Sequence, residues 1–182
     1  MWPMRFCTFA LGLLLFTTTI AVAAPKSGSQ AASSPETVVQ DFLNYLLAGK
    51  RDMATDVSAQ KRCLTRELQR ALATTMAATS RALKAHPDEK IDVPDNSTFL
   101  GAWDPPTTFK VSKSKAAQSQ ATVEVTLTWG PKTNYPGEVQ KRTVALTMDE
   151  GSWRIREITV HPSKFAQAGT LTGELRELSR AH

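Results

Sequence analysis

The chain has 182 residues and a formal net charge of +5, with 41% hydrophobic and 21% charged residues. A chain of this length folds as one domain and buries most of its unfolded surface around a single core. The positive charge is too small to indicate a nucleic-acid partner. Composition therefore points to one globular domain.

The first 23 residues have the pattern of an export signal. Arg5 supplies positive charge, residues 9–16 (FALGLLLF) form a short apolar core, and residues 21–23 (AVA) form a small-residue cleavage box. An uncleaved membrane anchor is the alternative, because residues 6–24 carry no charge. The cleavage box favours removal of residues 1–23. We therefore predict a periplasmic or secreted protein with no stable membrane insertion after cleavage.

Cys63 is the only cysteine that follows the predicted leader, which removes Cys7. Cys7 precedes the apolar core, so there is no lipobox cysteine near the cleavage point. Cys63 cannot form an internal disulfide. It could couple to a partner in an oxidising compartment, but unpaired cysteine is more often buried. We expect Cys63 to pack inside the domain.

Two amphipathic helices are predicted after a small, polar, flexible linker at residues 24–34. Ser34 and Pro35 are typical of a helix start, and Gly49 of a helix end. Residues 50–63 are predicted to be a loop or a short helical turn. The second helix begins after Thr65 and ends at residues 86–87 (His-Pro). Its predicted apolar face consists of Leu68, Leu72, Met76 and Leu83, with Ala71 and Thr75 between them.

An antiparallel sheet is predicted after a loop at residues 88–106, because the apolar period then changes from helical to alternating. Four strands are predicted at residues 109–111, 122–129, 139–148 and 153–160. In the last strand the apolar phase slips, which predicts a bulge near Arg156 and Glu157. A short C-terminal helix is predicted over residues 170–180.

These elements predict an α+β fold in which N-terminal helices pack on a strongly bent antiparallel meander of four or more strands. The domain covers residues 35–180. This element order resembles the cystatin-like cone fold of the nuclear-transport-factor-two-like superfamily. Residues 99–106 (FLGAWDPP), 109–111 (FKV) and 151–155 (GSWRI) resemble a family of small exported bacterial proteins of unknown function. The resemblance implies a fold and an exported setting, and no site residue follows from it.

Catalytic and metal chemistry find no support in the sequence. The predicted inward positions are all apolar: Val123, Val125, Leu127, Val144, Leu146 and Ile155. Asp92, Asp95 and Asp104 could approach the mouth of the cone, but aspartate in a loop more often caps turns. The three histidines have no metal-ligand spacing. We therefore predict no catalytic residue, no metal and no cofactor.

Positive charge is concentrated in residues 50–84, which hold eight basic and three acidic residues. Arg62, Arg66 and Arg70 recur every four residues, which predicts one stripe along a helix. The stripe is either a docking site for an acidic protein, an anionic polymer or a membrane surface, or an ordinary solvated face. Trp103 and Tyr135 are candidate partner anchors, although core filling is the commoner role.

The sequence thus predicts an exported, non-catalytic binding or protein-interaction module, of which an immunity or inhibitor protein is one form. Its candidate partner-binding residues are Arg62, Arg66, Arg70 and Trp103. The expected partner is another envelope or secreted protein of acidic character, not a nucleic acid. The alternative is a small-ligand-binding protein or a weak isomerase-like enzyme that uses the cone cavity.

Overall fold

The computed structural model describes residues 33–49 and 51–181. The predicted signal peptide and most of the predicted linker lie outside the described residues. The described residues form the predicted α+β fold, in which N-terminal helices pack on an open antiparallel sheet. The elements are α1 (Pro35–Leu47), α2 (Val57–Cys63), α3 (Arg66–Ala85), α4 (Asn96–Leu100), β1 (Thr108–Val111), β2 (Lys115–Ala117), β3 (Gln120–Thr128), β4 (Val139–Asp149), β5 (Ser152–Val160), β6 (Gly169–Thr170) and α5 (Leu171–Arg180).

Helix α1 begins as predicted. The Ser34 side chain accepts a hydrogen bond from the Thr37 N–H at 3.2 Å, and Pro35 occupies the first helical turn. The helix buries its apolar face, which consists of Val39, Phe42, Leu43 and Leu46. It contacts β1, β3 and β5, and so covers one face of the sheet.

Residues 51–65 hold a second helix and a sharp break. The Asp56 carboxylate accepts hydrogen bonds from the first N–H groups of α2, at 3.0 Å each, and so begins this helix. Leu64 then adopts an extended conformation, and Thr65 caps α3 as predicted. The Thr65 N–H donates to the Ile155 carbonyl at 2.9 Å, which attaches the junction to β5.

The prediction of the buried face of α3 is wrong at Leu83, which is 41% exposed. The buried stripe instead follows small residues in the second half of the helix, namely Thr75, Ala78, Thr79 and Ala82. These residues allow close packing against α5, where the Thr75 hydroxyl lies 2.9 Å from the Leu175 carbonyl oxygen and 2.8 Å from the Ser179 hydroxyl. The threonine hydroxyls can be buried because each meets a hydrogen-bond acceptor.

The sheet has six strands in the order β1-β3-β4-β5-β6, and β2 pairs with the far end of β3. All pairs are antiparallel. The predicted bulge is confirmed, since Ala145 pairs with Glu157 but Leu146 pairs with Ile155, which leaves Arg156 as the extra residue. The bulge lets both Ile155 and Ile158 enter the core.

Three short elements were not predicted. Helix α4 lies inside the predicted loop at residues 88–106, and β2 and β6 are strands of three and two residues. Helix α4 has only five residues, too few for an apolar period. Its local signal is a capping box, in which Asp95 and Thr98 bond each other's backbone, with Gly101 as the left-handed end.

We expect Glu36 to stabilise the fold in a pH-dependent manner. Its carboxylate accepts a hydrogen bond from the Ser114 N–H at 2.6 Å, which lowers the pKa of Glu36 to about 2. Glu36→Gln should lower the free energy of unfolding at pH 7 by about 1 kcal/mol, a value reduced for solvent screening at this partly exposed site. Because the folded pKa is depressed, this contribution is complete above pH about 5 and is lost as the pH falls toward 2.

Urea denaturation of the wild type and of Glu36→Gln, repeated at several pH values from neutral to acidic, measures the difference in their free energies of unfolding. Glu67→Gln, at an exposed site with a salt bridge of 3.7 Å, is the control and should change stability less. If the difference in free energy of unfolding for Glu36→Gln stayed the same at low pH, the ionised Glu36 carboxylate would not be its cause.

Candidate binding cleft

The inner face of the sheet is filled by side chains. The six apolar residues that the sequence predicts to face inward are all buried. The cavity between them and the helices is lined by residues including Phe42, Leu43 and Phe99, and has a volume of about 10 Å³. Such a space holds at most one water molecule. This part of the core therefore has no room for an organic ligand.

Two polar residues also point into the core from β4, and the sequence analysis did not identify them. Gln140 is 1% exposed and Arg142 is 3% exposed. Gln140 and Arg142 occupy the same alternating positions of β4 as Val144 and Leu146. The alternation that predicts Val144 and Leu146 inside the core therefore predicts Gln140 and Arg142 there too. That alternation was the available signal.

The Arg142 guanidinium is held by backbone carbonyls. Its Nε and Nη2 atoms donate to the Leu100 carbonyl at 2.9 and 2.7 Å, and Nη1 donates to the Lys141 carbonyl at 2.9 Å. None of the salt bridges within residues 33–49 and 51–181 involves this arginine. Burial lowers the pKa of Arg142 to about 10, so the side chain remains charged at neutral pH.

Arg142 also fixes the orientation of the Gln140 amide. Arg142 Nη2 lies 2.6 Å from Gln140 Oε1. A guanidinium has only donors, so the amide must present its oxygen to Arg142 and its nitrogen elsewhere. Gln140 Nε2 is buried and has no hydrogen-bond partner in the part of the chain that the structure describes. Leaving a buried donor unpaired costs about 1–3 kcal/mol, so this amide is an unfavourable polar group within the core.

Gln140 lies at the floor of a cleft of about 600 Å³. The walls come from the segments 90–103 and 165–170 and from α5. Four aromatic residues line it, namely Phe99, Trp103, Tyr135 and Phe165, and Trp103 is 77% exposed. The Tyr135 ring packs between Trp129 and Phe165, at 6.3 and 5.1 Å between ring centroids. The cleft has the volume typical of ligand sites. We refer to it below as the Gln140 cleft.

Of the four candidate partner-binding residues, only Trp103 lines the Gln140 cleft. The prediction of one helical stripe is wrong for Arg62, which lies in the last turn of α2 and is separated from α3 by the break at residues 64–65. Arg66 pairs with Glu150, and Arg70 lies 3.7 Å from Glu67. The three arginines are exposed on two helices. Their role in partner binding stays a prediction.

The predicted capping role is confirmed for one of the three loop aspartates, Asp95. Asp95 caps α4, with its carboxylate 2.7 Å from the Ser97 N–H, and it also lines the Gln140 cleft. The Asp104 carboxylate accepts a hydrogen bond from the Asn134 N–H at 2.9 Å, and so joins two loops that lie 30 residues apart in the chain. Asp92 lines the cleft.

No family model matches this sequence, and no curated protein shows significant similarity to it. The resemblance to an exported bacterial family therefore stays a prediction. Among the described residues, no helix has the length and apolar character needed to cross a bilayer. The same residues contain no group of three or more His, Cys, Asp or Glu side chains that could hold a metal ion.

Gly101 determines how closely α4 approaches the sheet beside the cleft. It has a φ of +62°, and a Cβ atom there would lie 2.7 Å from a Val160 methyl group and 3.5 Å from Arg142 Nη2. Gly101→Ala should therefore lower the free energy of unfolding by about 2–3 kcal/mol, as the sum of left-handed strain and steric contact. Gly137→Ala is the matched control, because Gly137 has a φ of +75° with no atom within 4 Å. Denaturant unfolding should give only about 1 kcal/mol for the control, and equal losses would contradict the close approach.

Cys63 is expected to react slowly. It is half-buried against the core, and burial raises the pKa of its thiol. Alkylation by iodoacetamide at neutral pH should be about tenfold slower than at a cysteine placed on exposed Ser80, because only the thiolate reacts. Mass spectrometry of the Cys63 peptide measures the rate, with Ser80→Cys in a Cys63→Ala background for comparison. Equal rates would show an accessible, reactive thiol.

Proposed function

We propose that the protein is an exported, non-catalytic interaction module that binds part of another envelope or secreted protein in the Gln140 cleft. An immunity or inhibitor protein is one form of this function. The observation that carries the proposal is the convergence of exposed apolar side chains and an unpartnered buried amide on one concave surface. Export itself is inferred from residues 1–23.

The exposed apolar side chains are concentrated at the cleft. Six large hydrophobic residues are exposed within residues 33–49 and 51–181, and three of them line the cleft: Val93, Trp103 and Phe165. Exposed aromatic residues grouped at one concave surface are typical of protein-interaction sites. Trp103 is suited to be an anchor because its indole is exposed and can become buried against a partner.

A small-ligand-binding function is the second candidate, and the volume of about 600 Å³ favours it. Such a ligand would occupy the same cleft and would use the same Gln140 donor. An enzyme of the isomerase-like kind would need an open cavity beneath the sheet, where the described side chains leave only about 10 Å³.

Site-specific photocrosslinking in cells that naturally produce the full chain tests the proposal. With p-benzoylphenylalanine in place of Trp103, we expect one discrete adduct with a second protein, because this position lies at the cleft. The control places the same crosslinker at Val57, which is 57% exposed on α2 and does not line the cleft.

Replacing Gln140 by Met in the Trp103 crosslinking chain should reduce the adduct, provided that thermal unfolding shows an intact fold. The absence of an adduct at position 103, or the same adducts from positions 103 and 57, would contradict binding through the cleft.

A further inference from the structure

The charge of the Gln140 cleft is opposite to that of the whole protein. The chain carries a net charge of +5. The charged residues that line the cleft are Lys90, Asp92, Asp95, Glu174 and Glu177, so acids outnumber bases by four to one. The four exposed acids attract a cationic group to the rim of the cleft, whereas the charged Arg142 guanidinium, buried against Gln140, repels such a group from the floor.

Glu174 and Glu177 form the acidic wall of the cleft. They lie three residues apart on α5, so their side chains project from the same side of the helix. Both are exposed, and neither belongs to a salt bridge in the described part of the chain. Their carboxylates are therefore accessible to a cation, whereas the Asp95 carboxylate already caps α4.

The floor of the cleft contains a hydrogen-bond donor that lacks an acceptor. Gln140 Nε2 is a fully buried donor without a partner among the described residues, so an acceptor such as a carbonyl oxygen reaches it only if the residues that cover it move. The exposed Trp103 indole can contact either an apolar side chain or a cation. A ligand with a carbonyl group close to a positive charge matches both the Gln140 donor at the floor and the carboxylates of Glu174 and Glu177 at the wall.

The remaining wall favours a polypeptide as that ligand. Residues 166–169 (AQAG) line the cleft with mostly small side chains, which leave their backbone accessible. The adjoining strand β6 has only two residues, both exposed, at the edge of the sheet. An extended peptide can hydrogen-bond to an exposed backbone edge of this kind.

We propose that the Gln140 cleft binds an extended, lysine- or arginine-containing segment of a partner protein. A basic side chain of the segment lies against Glu174 and Glu177, and a small movement of the residues that cover Gln140 Nε2 lets a main-chain carbonyl of the segment accept its hydrogen bond. This proposal rests on the proposed function. It predicts a basic partner segment, whereas a partner of Arg62, Arg66 and Arg70 would be acidic.

A synthetic array of short acetylated peptide amides, probed with the full chain, tests the ligand chemistry. Bound peptides should be enriched in Lys or Arg at one position, and binding should weaken as salt is raised. Glu174→Gln with Glu177→Gln should lower the affinity of a selected basic peptide by about tenfold or more. Glu67→Gln with Glu150→Gln is the matched control, because it removes the same charge outside the cleft and should change affinity by less than about twofold.

The outcomes separate this inference from the proposed function. Peptides that bind through Trp103 without a basic preference would overturn the inference and leave the proposed function intact. Spermidine that binds with the same dependence on Glu174 and Glu177, while no array peptide binds, would overturn the peptide assignment. If no peptide binds and position 103 gives no crosslink, both proposals fail. All four glutamates are exposed, so their variants should retain the wild-type unfolding transition.

Discussion

The Arg142 guanidinium is a positive charge inside the domain, and backbone carbonyls hold it in place of a carboxylate. Its hydrogen bonds to the Leu100 carbonyl join β4 to the end of α4, residues that lie about forty positions apart in the chain. Its contact with Gln140 then sets which way that amide faces. Because a guanidinium can only donate hydrogen bonds, the Gln140 amide must turn its oxygen toward Arg142 and its nitrogen away from it. The orientation of Gln140 depends on this side chain, which also holds the end of α4 together with the Asn96 hydrogen bonds and the buried Phe99.

The cleft is assembled from parts that are distant in sequence. The segment before α4 supplies Asp92 and Asp95, the turn after α4 supplies Trp103, β4 supplies Gln140, and α5 supplies Glu174 and Glu177. Each part is positioned by a different interaction. Arg142 holds the end of α4, while Thr75 on α3 holds α5 through the Leu175 carbonyl and Ser179. Recognition at the rim therefore depends on hydrogen bonds in the interior.

Local chemistry made much of the fold predictable. Ser34 and Thr65 cap helices as expected, and the phase slip in β5 correctly predicted the bulge at Arg156. The cleft was not predictable in the same way, since the role of Arg142 depends on carbonyls far along the chain. One error was avoidable, because a helix that begins after Thr65 already separates Arg62 from the arginines of α3. The sequence pointed to Trp103, Tyr135, Asp92 and Asp95 but not to Gln140, Glu174 and Glu177, which line the same cleft.

The docking of α5 against α3 affects when the protein becomes able to bind. This helix follows every strand in the chain and contributes the acidic wall. A polypeptide still emerging from a ribosome or a translocation channel can pair its strands before α5 is free to fold. Until α5 packs against α3, the cleft is open on one side, so the binding proposed for the cleft requires α5 to be folded.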